Sequence, residues 1–337
     1  MNEPHFPTSR RTMLKTAAAL AAGAVLPRGA AAQPQSAGGA KPAQTPVQGG
    51  GFYRMTLGDA EITLIADGGF VADDANAFFK GDSGDAVNKA LTERHLKPAK
   101  LQMFVNTLLV KKGGKTTLID AGTGGQFGPG AGFLFDRLAA IGTLAESIDT
   151  VVLTHAHGDH YGGLLDAAGK PRLPNAELLV SEAEYDFWTK SPDLSKSGMP
   201  PAGHAAAIKQ QQDLFAALKF TRVAVAGDKE LRPGITAVAT PGHTPGHLSI
   251  LVDGGGNDQL FYNTDLIHHV AIMLPHPEFK VAFDTDREAA AETRKKSFAR
   301  LAADKMLVSG THVPFPGFGY VEKAGEGYEW RPAMWQW

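Results

Sequence analysis

The chain has 337 residues, 43% of them hydrophobic, and a formal net charge of -2, enough apolar material for one large core or two smaller ones. That charge balance excludes the electrostatic footprint of a nucleic-acid-binding domain. There is no cysteine, so disulfides, thiolate ligands and a cysteine nucleophile are excluded, and any metal site must be built from His, Asp or Glu.

Residues 1–32 carry Arg10, Arg11, Lys15 and Arg28 against Glu3, a net of +3 whose removal leaves -5. The run Ser9-Arg10-Arg11-Thr12-Met13-Leu14-Lys15 resembles a twin-arginine export signal. The apolar stretch after it, residues 16–26, is too short to span a bilayer. Ala30-Ala31-Ala32 offers small residues for cleavage after Ala32. The expectation is a periplasmic or secreted protein with no membrane span in the mature chain; a disordered basic tail is the alternative. Residues 33–50, rich in Pro, Gly, Gln and Ala, are expected to be a flexible linker, and residues 51–337 the folded domain.

In chain order, residues 52–57 and 60–66 read as strands joined at Gly58-Asp59, a hairpin signal. Residues 85–96 place Val87, Ala90 and Leu91 at helical spacing. Strands at 102–112 and 115–120 flank Gly113-Gly114, and the second ends in the glycine-rich loop Asp120-Ala-Gly-Thr-Gly124. Phe127-Gly-Pro-Gly130 leads to a helix over 132–141, and 151–153 is a short aliphatic strand. A strand at 176–181 is followed by a helix at 182–189 carrying Phe187 and Trp188, a loop at 198–203 and a helix at 205–218. Strands recur at 219–225, 235–240, 248–252 and 259–262, then an amphipathic helix at 286–303 and a last strand at 305–308. No internal repeat is legible, and this mixture alone supports α/β or α+β.

The chemistry concentrates in Thr154-His155-Ala156-His157-Gly158-Asp159-His160, directly after the 151–153 strand. Side chains two apart on an extended segment point the same way, so His155 and His157 can meet one ion. Gly158 lets the backbone turn, after which Asp159 and His160 can face a second ion beside the first. Imidazole and carboxylate together suit zinc and similar metals. A polar loop with chance histidines is the bland alternative. Farther on, Thr240-Pro-Gly-His243-Thr-Pro-Gly-His247 forms a rigid turn after a strand, Asn263-Thr264-Asp265 ends the 259–262 strand, and Thr311-His312-Val-Pro-Phe-Pro-Gly317 follows the last one.

Together these runs resemble the metallo-β-lactamase superfamily over residues 51–330, and within it the branch of methyl parathion hydrolase and related lactonases. The resemblance implies an α/β fold of the αββα sandwich kind: two packed mixed β-sheets, helices on the outer faces, and metals at one edge. It implies that His155, His157 and His243 hold one divalent ion, that Asp159, His160 and His312 hold another, and that Asp265 bridges them with a water or hydroxide that acts as nucleophile. Two ions per chain, zinc first, are the cofactors expected. Asp159 would also pass a proton to the leaving group, so Asp159 and Asp265 are the catalytic carboxylates. Asp120 is expected to support the site without ligating it, and His247 to pack below it. Phe127 and Trp188 match aromatic positions at the pocket mouth; ordinary core packing is their alternative. The chain departs from the pattern at Thr264, where Gly is usual, and at Met199-Pro-Pro-Ala-Gly-His204, where the branch has a further phenylalanine. His95, His268, His269 and His276 read as surface or structural, and His204 as a loop residue near the pocket.

The function expected is hydrolysis of an ester-like bond in a neutral, apolar small molecule: an organophosphate triester, an aryl ester or a lactone. Alternatives are an N-acyl-homoserine lactonase, a glyoxalase-II-like thioesterase, a β-lactamase and, from another class, a secreted binding protein on the same fold. No cationic cluster for a glutathione carboxylate is identifiable, and all seven ligand positions are filled, which argues against a binding protein. The partner expected is therefore a small-molecule substrate, with no nucleic acid, and with a homodimer left open.

Overall fold

Aliphatic runs buried on both faces organise the structure. The computed structural model describes residues 50–79, 83–190 and 192–335; the expected signal, and the expected linker up to its last residue, lie outside them. The first sheet holds β1 (Phe52–Leu57), β2 (Ala60–Ala72), β3 (Leu101–Lys112), β4 (Lys115–Ile119), β5 (Thr150–Leu153), β6 (Glu177–Ser181) and β7 (Thr221–Val223), side by side in that order. Its first four strands pair antiparallel, while β4 to β7 run parallel. The second sheet holds β8 (Asp228–Arg232), β9 (Ile235–Ala239), β10 (Leu248–Asp253), β11 (Gln259–Tyr262), β12 (Leu307–Ser309), β13 (Gly319–Ala324) and β14 (Gly327–Pro332), antiparallel except for β11 with β12.

Side chains alternate along a strand, and here each face meets a different core. Val152 packs with Leu64, Leu108 and Leu179 of its own sheet and with Ile250, Leu260 and Tyr262 of the other, which places that cluster between the sheets. Its neighbours Val151 and Leu153 turn to the opposite face. Of the helices α1 (Ala75–Phe78), α2 (Gly84–Glu93), α3 (Leu134–Ala140), α4 (Gly158–Tyr161), α5 (Glu182–Thr189) and α6 (Pro201–Ala217), they meet α3, α5 and α6 there through Leu138, Trp188 and Phe215. On the far face of the second sheet, Val238, Phe261 and Val308 pack against Phe298 and Leu301 of a long helix, Arg287–Asp304. The result is the αββα sandwich, with two mixed seven-stranded sheets inside and helices outside.

The long helix buries Ala290, Ala291, Arg294, Phe298 and Leu301 along one stripe, and Asp286 caps it by accepting from Ala289 N at 3.1 Å. Several elements differ from the sequence reading. Strand β2 runs to Ala72 through a bulge at Asp67. Helix α6 begins at Pro201, inside the expected 198–203 loop, because proline suits a first helical position where the missing N–H is not needed. Strands β8, β13 and β14 and the short helices Ala75–Phe78 and Val270–Met273 were not in the pattern. No helix among the described residues is long and apolar enough to cross a membrane.

Candidate metal centre

The parallel pairing of β4 with β5, and of β11 with β12, sends several strand ends to one edge of the sandwich. Asp120 follows β4, His155 to His160 follow β5, His243 lies between β9 and β10, Asp265 follows β11 and His312 follows β12. Three imidazole nitrogens converge: His155 Nε2 and His157 Nδ1 at 3.1 Å, His157 Nδ1 and His243 Nε2 at 2.8 Å, and His243 Nε2 and His155 Nε2 at 3.2 Å. Beside them, Asp159 lies 3.5 Å from His312 Nε2 and 3.8 Å from His160 Nε2. Asp265 stands between the two sets, 3.1 Å from His160, 3.2 Å from His312, 3.3 Å from His243 and 3.8 Å from His155.

Hydrogen bonds on the far side of three of the rings fix their tautomers. His160 Nδ1 lies 2.7 Å from Asp120, His243 Nδ1 lies 2.8 Å from Asp284, and His312 Nδ1 lies 2.6 Å from the Phe104 carbonyl. Each partner only accepts when ionised or as a carbonyl, so Nδ1 carries the hydrogen and a neutral ring turns a lone pair toward Asp265. His160 Nε2 and Asp265 Oδ1 are buried, 3.1 Å apart, and make no hydrogen bond. Lone pairs facing a carboxylate repel unless protons or cations lie among them. Two adjoining sets of nitrogen and oxygen donors sharing one carboxylate fit a pair of divalent ions.

Burial and neighbouring imidazoles push His155 and His157 well below the ordinary histidine range, leaving them neutral, the form that binds metal. Burial acts the same way on His243, but its bonds to Asp265 and Asp284 outweigh it and lift that ring to about 9. Burial opposes the charge of Asp265, yet His160, His312 and His155 hold its carboxyl well below the usual range. For Asp120 burial prevails over its bonds to His160 and Thr154, and the carboxyl is pushed up. Asp120 also accepts from Thr154 N and Oγ1, both at 2.8 Å, so it anchors the start of the histidine loop.

His247 lies beneath the centre: Nδ1 meets Thr240, and Nε2 lies 2.8 Å from Thr264 Oγ1 and 3.3 Å from Asp265 N. Thr264, which stands where glycine was expected, has φ of +50°. Left-handed backbone costs a side chain about 1–2 kcal/mol. The Thr264 hydroxyl offsets this by donating to the Leu248 carbonyl at 2.9 Å.

A cavity of about 250 Å³ opens onto the centre. Its walls include Phe70, Phe127, Trp188, Leu194, Met199 and Phe283, and His157, Asp159, His243, Asp265, His268 and His312 form its polar end. None of the described residues lining it is Lys or Arg. Phe127 is 37% exposed and stacks on Phe70 with ring centroids 5.3 Å apart. Trp188 is 1% exposed, a wall residue where the mouth was expected. His204 lies on α6, bonded to the Met199 carbonyl at 3.1 Å, and does not line the cavity.

The sequence left the part played by five residues near the site unread. His268 and His269, read as surface or structural, are buried, and His268 lines the cavity with Nε2 at 3.3 Å from Asp265. Asp284 holds His243 but precedes a helix cap, so its sequence context suggests only a cap. Asp67 accepts from Thr123, Gly132 and Leu134 and thereby closes the loop that carries Phe127. Glu184 is fully buried beside the histidine loops. Its one signal was Ser181-Glu-Ala-Glu184, the spacing of a helix capping box.

The fold and this arrangement of donors define a class. A family model described as the metallo-beta-lactamase superfamily matches residues 101–259, and one for the twin-arginine translocation signal matches residues 7–27. The chain belongs to the metallo-β-lactamase superfamily. Among solved structures it is similar to AidC, a dizinc quorum-quenching lactonase, at 31% identity and a TM-score of 0.80, covering 85% of this chain and 98% of that one. It is also similar to AbOPH, a hydrolase in the beta lactamase superfamily, at 30% identity and a TM-score of 0.75, covering 86% and 100%. An N-acyl homoserine lactonase from Bacillus sp is 28% identical over 116 residues, 34% of this chain and 37% of that one. The chain spans between about a third and just over half of the length of the curated relatives it matches first, 56%, 37% and 37%.

Proposed function

We propose that this protein is an exported, metal-dependent hydrolase that opens neutral carbonyl esters, lactones with an apolar chain foremost. The observation that carries this is the pair of donor sets sharing Asp265 at the end of an aromatic cavity without Lys or Arg in its lining. Such a cavity favours an uncharged, apolar substrate over a charged one. The similarity to a dizinc lactonase points the same way.

In this reading His155, His157 and His243 would hold one ion and Asp159, His160 and His312 the other, with the Asp265 carboxylate placed between the two sets. When bound, two divalent ions would make hydroxide available near neutral pH and polarise the carbonyl oxygen. The aromatic walls orient the acyl chain and exclude water from it. Water adds to the lactone carbonyl, the ring C–O bond breaks, and the product is a hydroxy acid. Asp159 lines the cavity and is placed to hold the proton released and return it to the leaving oxygen. An aryl phosphotriester or aryl ester is the second reading, favoured by the stacked Phe70 and Phe127, which suit an aromatic ring.

The mature protein in this reading starts after Ala32, carries a linker to about Gly50, and acts in the periplasm or outside the cell. The test is a hydrolysis panel on metal-loaded protein: lactones of graded chain length, an aryl ester, a paraoxon-like triester, a thioester and a β-lactam. Highest kcat/KM on a long-chain lactone supports the proposal. A preparation with two ions per chain and no lactone turnover ends it, and a preference for the triester installs the second reading.

A further inference from the structure

Helix α5 starts with a capping-box sequence, yet only half of the box forms. Ser181 Oγ accepts from Glu184 N at 3.1 Å, the usual cap contact. The Glu184 carboxylate does not turn back to the helix start, as the other half of the box requires. It reaches into the sandwich instead, where it is completely buried. Oε1 accepts from Ala156 N at 2.9 Å and from Trp188 Nε1 at 2.7 Å. Oε2 accepts from Thr244 Oγ1 at 2.5 Å and from Gly246 N at 3.1 Å.

Those partners are not scattered. Ala156 lies between His155 and His157; Thr244 follows His243; Trp188 is a wall of the cavity. One carboxylate therefore joins the two loops whose imidazoles converge and the ring that faces the substrate space. The approach is tight by construction: a Cβ at Gly246 would come within 2.1 Å of Glu184 N and 2.3 Å of Ser181 Oγ. Burial pushes the Glu184 carboxyl up, and donors from Thr244, Ala156, Trp188 and Gly246 oppose that push. No salt bridge to Glu184 is found among the described residues, so hydrogen bonds alone compensate its burial.

We infer that Glu184 is a positioning residue that sets the His155–His157 loop against the His243 loop and, through Trp188, ties that spacing to the shape of the cavity. The inference rests on the metal-dependent reading above for its ions, but not on any particular substrate. In Glu184→Gln, an amide nitrogen must face N–H donors on one side, so one of the two loops is released while side-chain volume is kept. Trp188→Phe removes only the link to the wall.

The experiment compares these variants with Leu108→Ala, a core substitution between the sheets, in the full mature zinc-loaded protein. It records thermal midpoint, the half-time of zinc release into excess chelator, and KM and kcat on the best substrate of the panel. The expected result is zinc release at least ~10-fold faster in Glu184→Gln, as for other partners of metal-holding residues, together with a raised KM. Leu108→Ala should lower the midpoint and leave the release rate alone. Trp188→Phe should raise KM with release unchanged. If Glu184→Gln releases zinc no faster than Leu108→Ala, the inference is overturned. If Glu184→Gln does not fold, Thr244→Val removes a single donor and must still speed release, or the inference falls equally. Zinc release needs no substrate, so failure of the lactone reading is read separately, from the panel.

Discussion

Asp284 offers a sharp test of how the centre is supported. It is 0% exposed and faces two ways: Oδ1 lies 2.8 Å from His243 Nδ1, while Oδ2 accepts from Val281 N at 3.2 Å and lies 3.6 Å from the guanidinium of Arg294. Asp284→Asn keeps the volume and removes the charge. Taking one partner from a buried ion pair costs about 3–5 kcal/mol. Arg294 retains its bonds to the carbonyls of Leu266, Pro277 and Phe279, which places the loss at the lower end, about 3 kcal/mol. Loosening the partner of a metal-holding imidazole costs a further ~10–100-fold in metal affinity. The two effects are separable by urea unfolding of the chelator-treated protein and by zinc competition against a chromophoric chelator. Adding Arg294→Met removes the buried cation but also takes the donor from the carbonyls of Leu266, Pro277 and Phe279, so stability should not recover, and neither should affinity, because His243 stays unsupported. If the double variant regains wild-type affinity, Asp284 serves only to balance Arg294 and the reasoning is refuted.

Asp265→Asn removes the one carboxylate shared by both donor sets; metal analysis should then find fewer than two ions per chain, with turnover down by orders of magnitude and the fold intact. Two ions and unchanged turnover would remove Asp265 from its proposed role. Phe127→Ala deletes a ring that is 37% exposed and stacked on Phe70. Losing an aromatic contact with the substrate costs about 0.5–1.5 kcal/mol, so KM for an aryl substrate should rise roughly 2–10-fold with metal content unchanged. Replacing Arg10 and Arg11 by Lys should block export, and the exported wild-type chain should begin at Gln33; N-terminal sequencing that finds Met1 on periplasmic protein contradicts this.

The sequence showed what is local. The His155-to-His160 stretch packs four donors behind one aliphatic strand, and paired strands such as Phe52–Leu57 with its neighbour declare themselves by a Gly-Asp turn. The sandwich itself came through the resemblance, since alternating burial of Val151 and Val152 toward two different cores reads in sequence only as an aliphatic run. What stayed hidden is long-range. Glu184 meets Gly246 from 62 positions away, Asp284 meets His243 from 41, and Asp67 meets Leu134 from 67. Each looks like an ordinary helix or turn carboxylate until the chain is folded. Strand β8, Asp-Lys-Glu-Leu-Arg, lies exposed at a sheet edge and carries no apolar alternation to betray it. His268 was hidden for another reason: a histidine in a short connecting segment has no sequence mark that separates the surface from the cavity.

The donors are shared out between the layers. His155, His157, Asp159 and His160 belong to the end of a strand in the first sheet; His243, Asp265 and His312 belong to ends of the second. Ions seated among them would act as rivets through the rim of a two-ply laminate whose middle is already glued by Val152, Leu108, Ile250 and Tyr262. Stripping the rivets should leave the glue intact and let the rim gape, so that proteases nick the 240s loop before anything else. A chain cut at Gly227, between the two plies, should yield two pieces that each carry part of a site and bind zinc tightly only when laminated again.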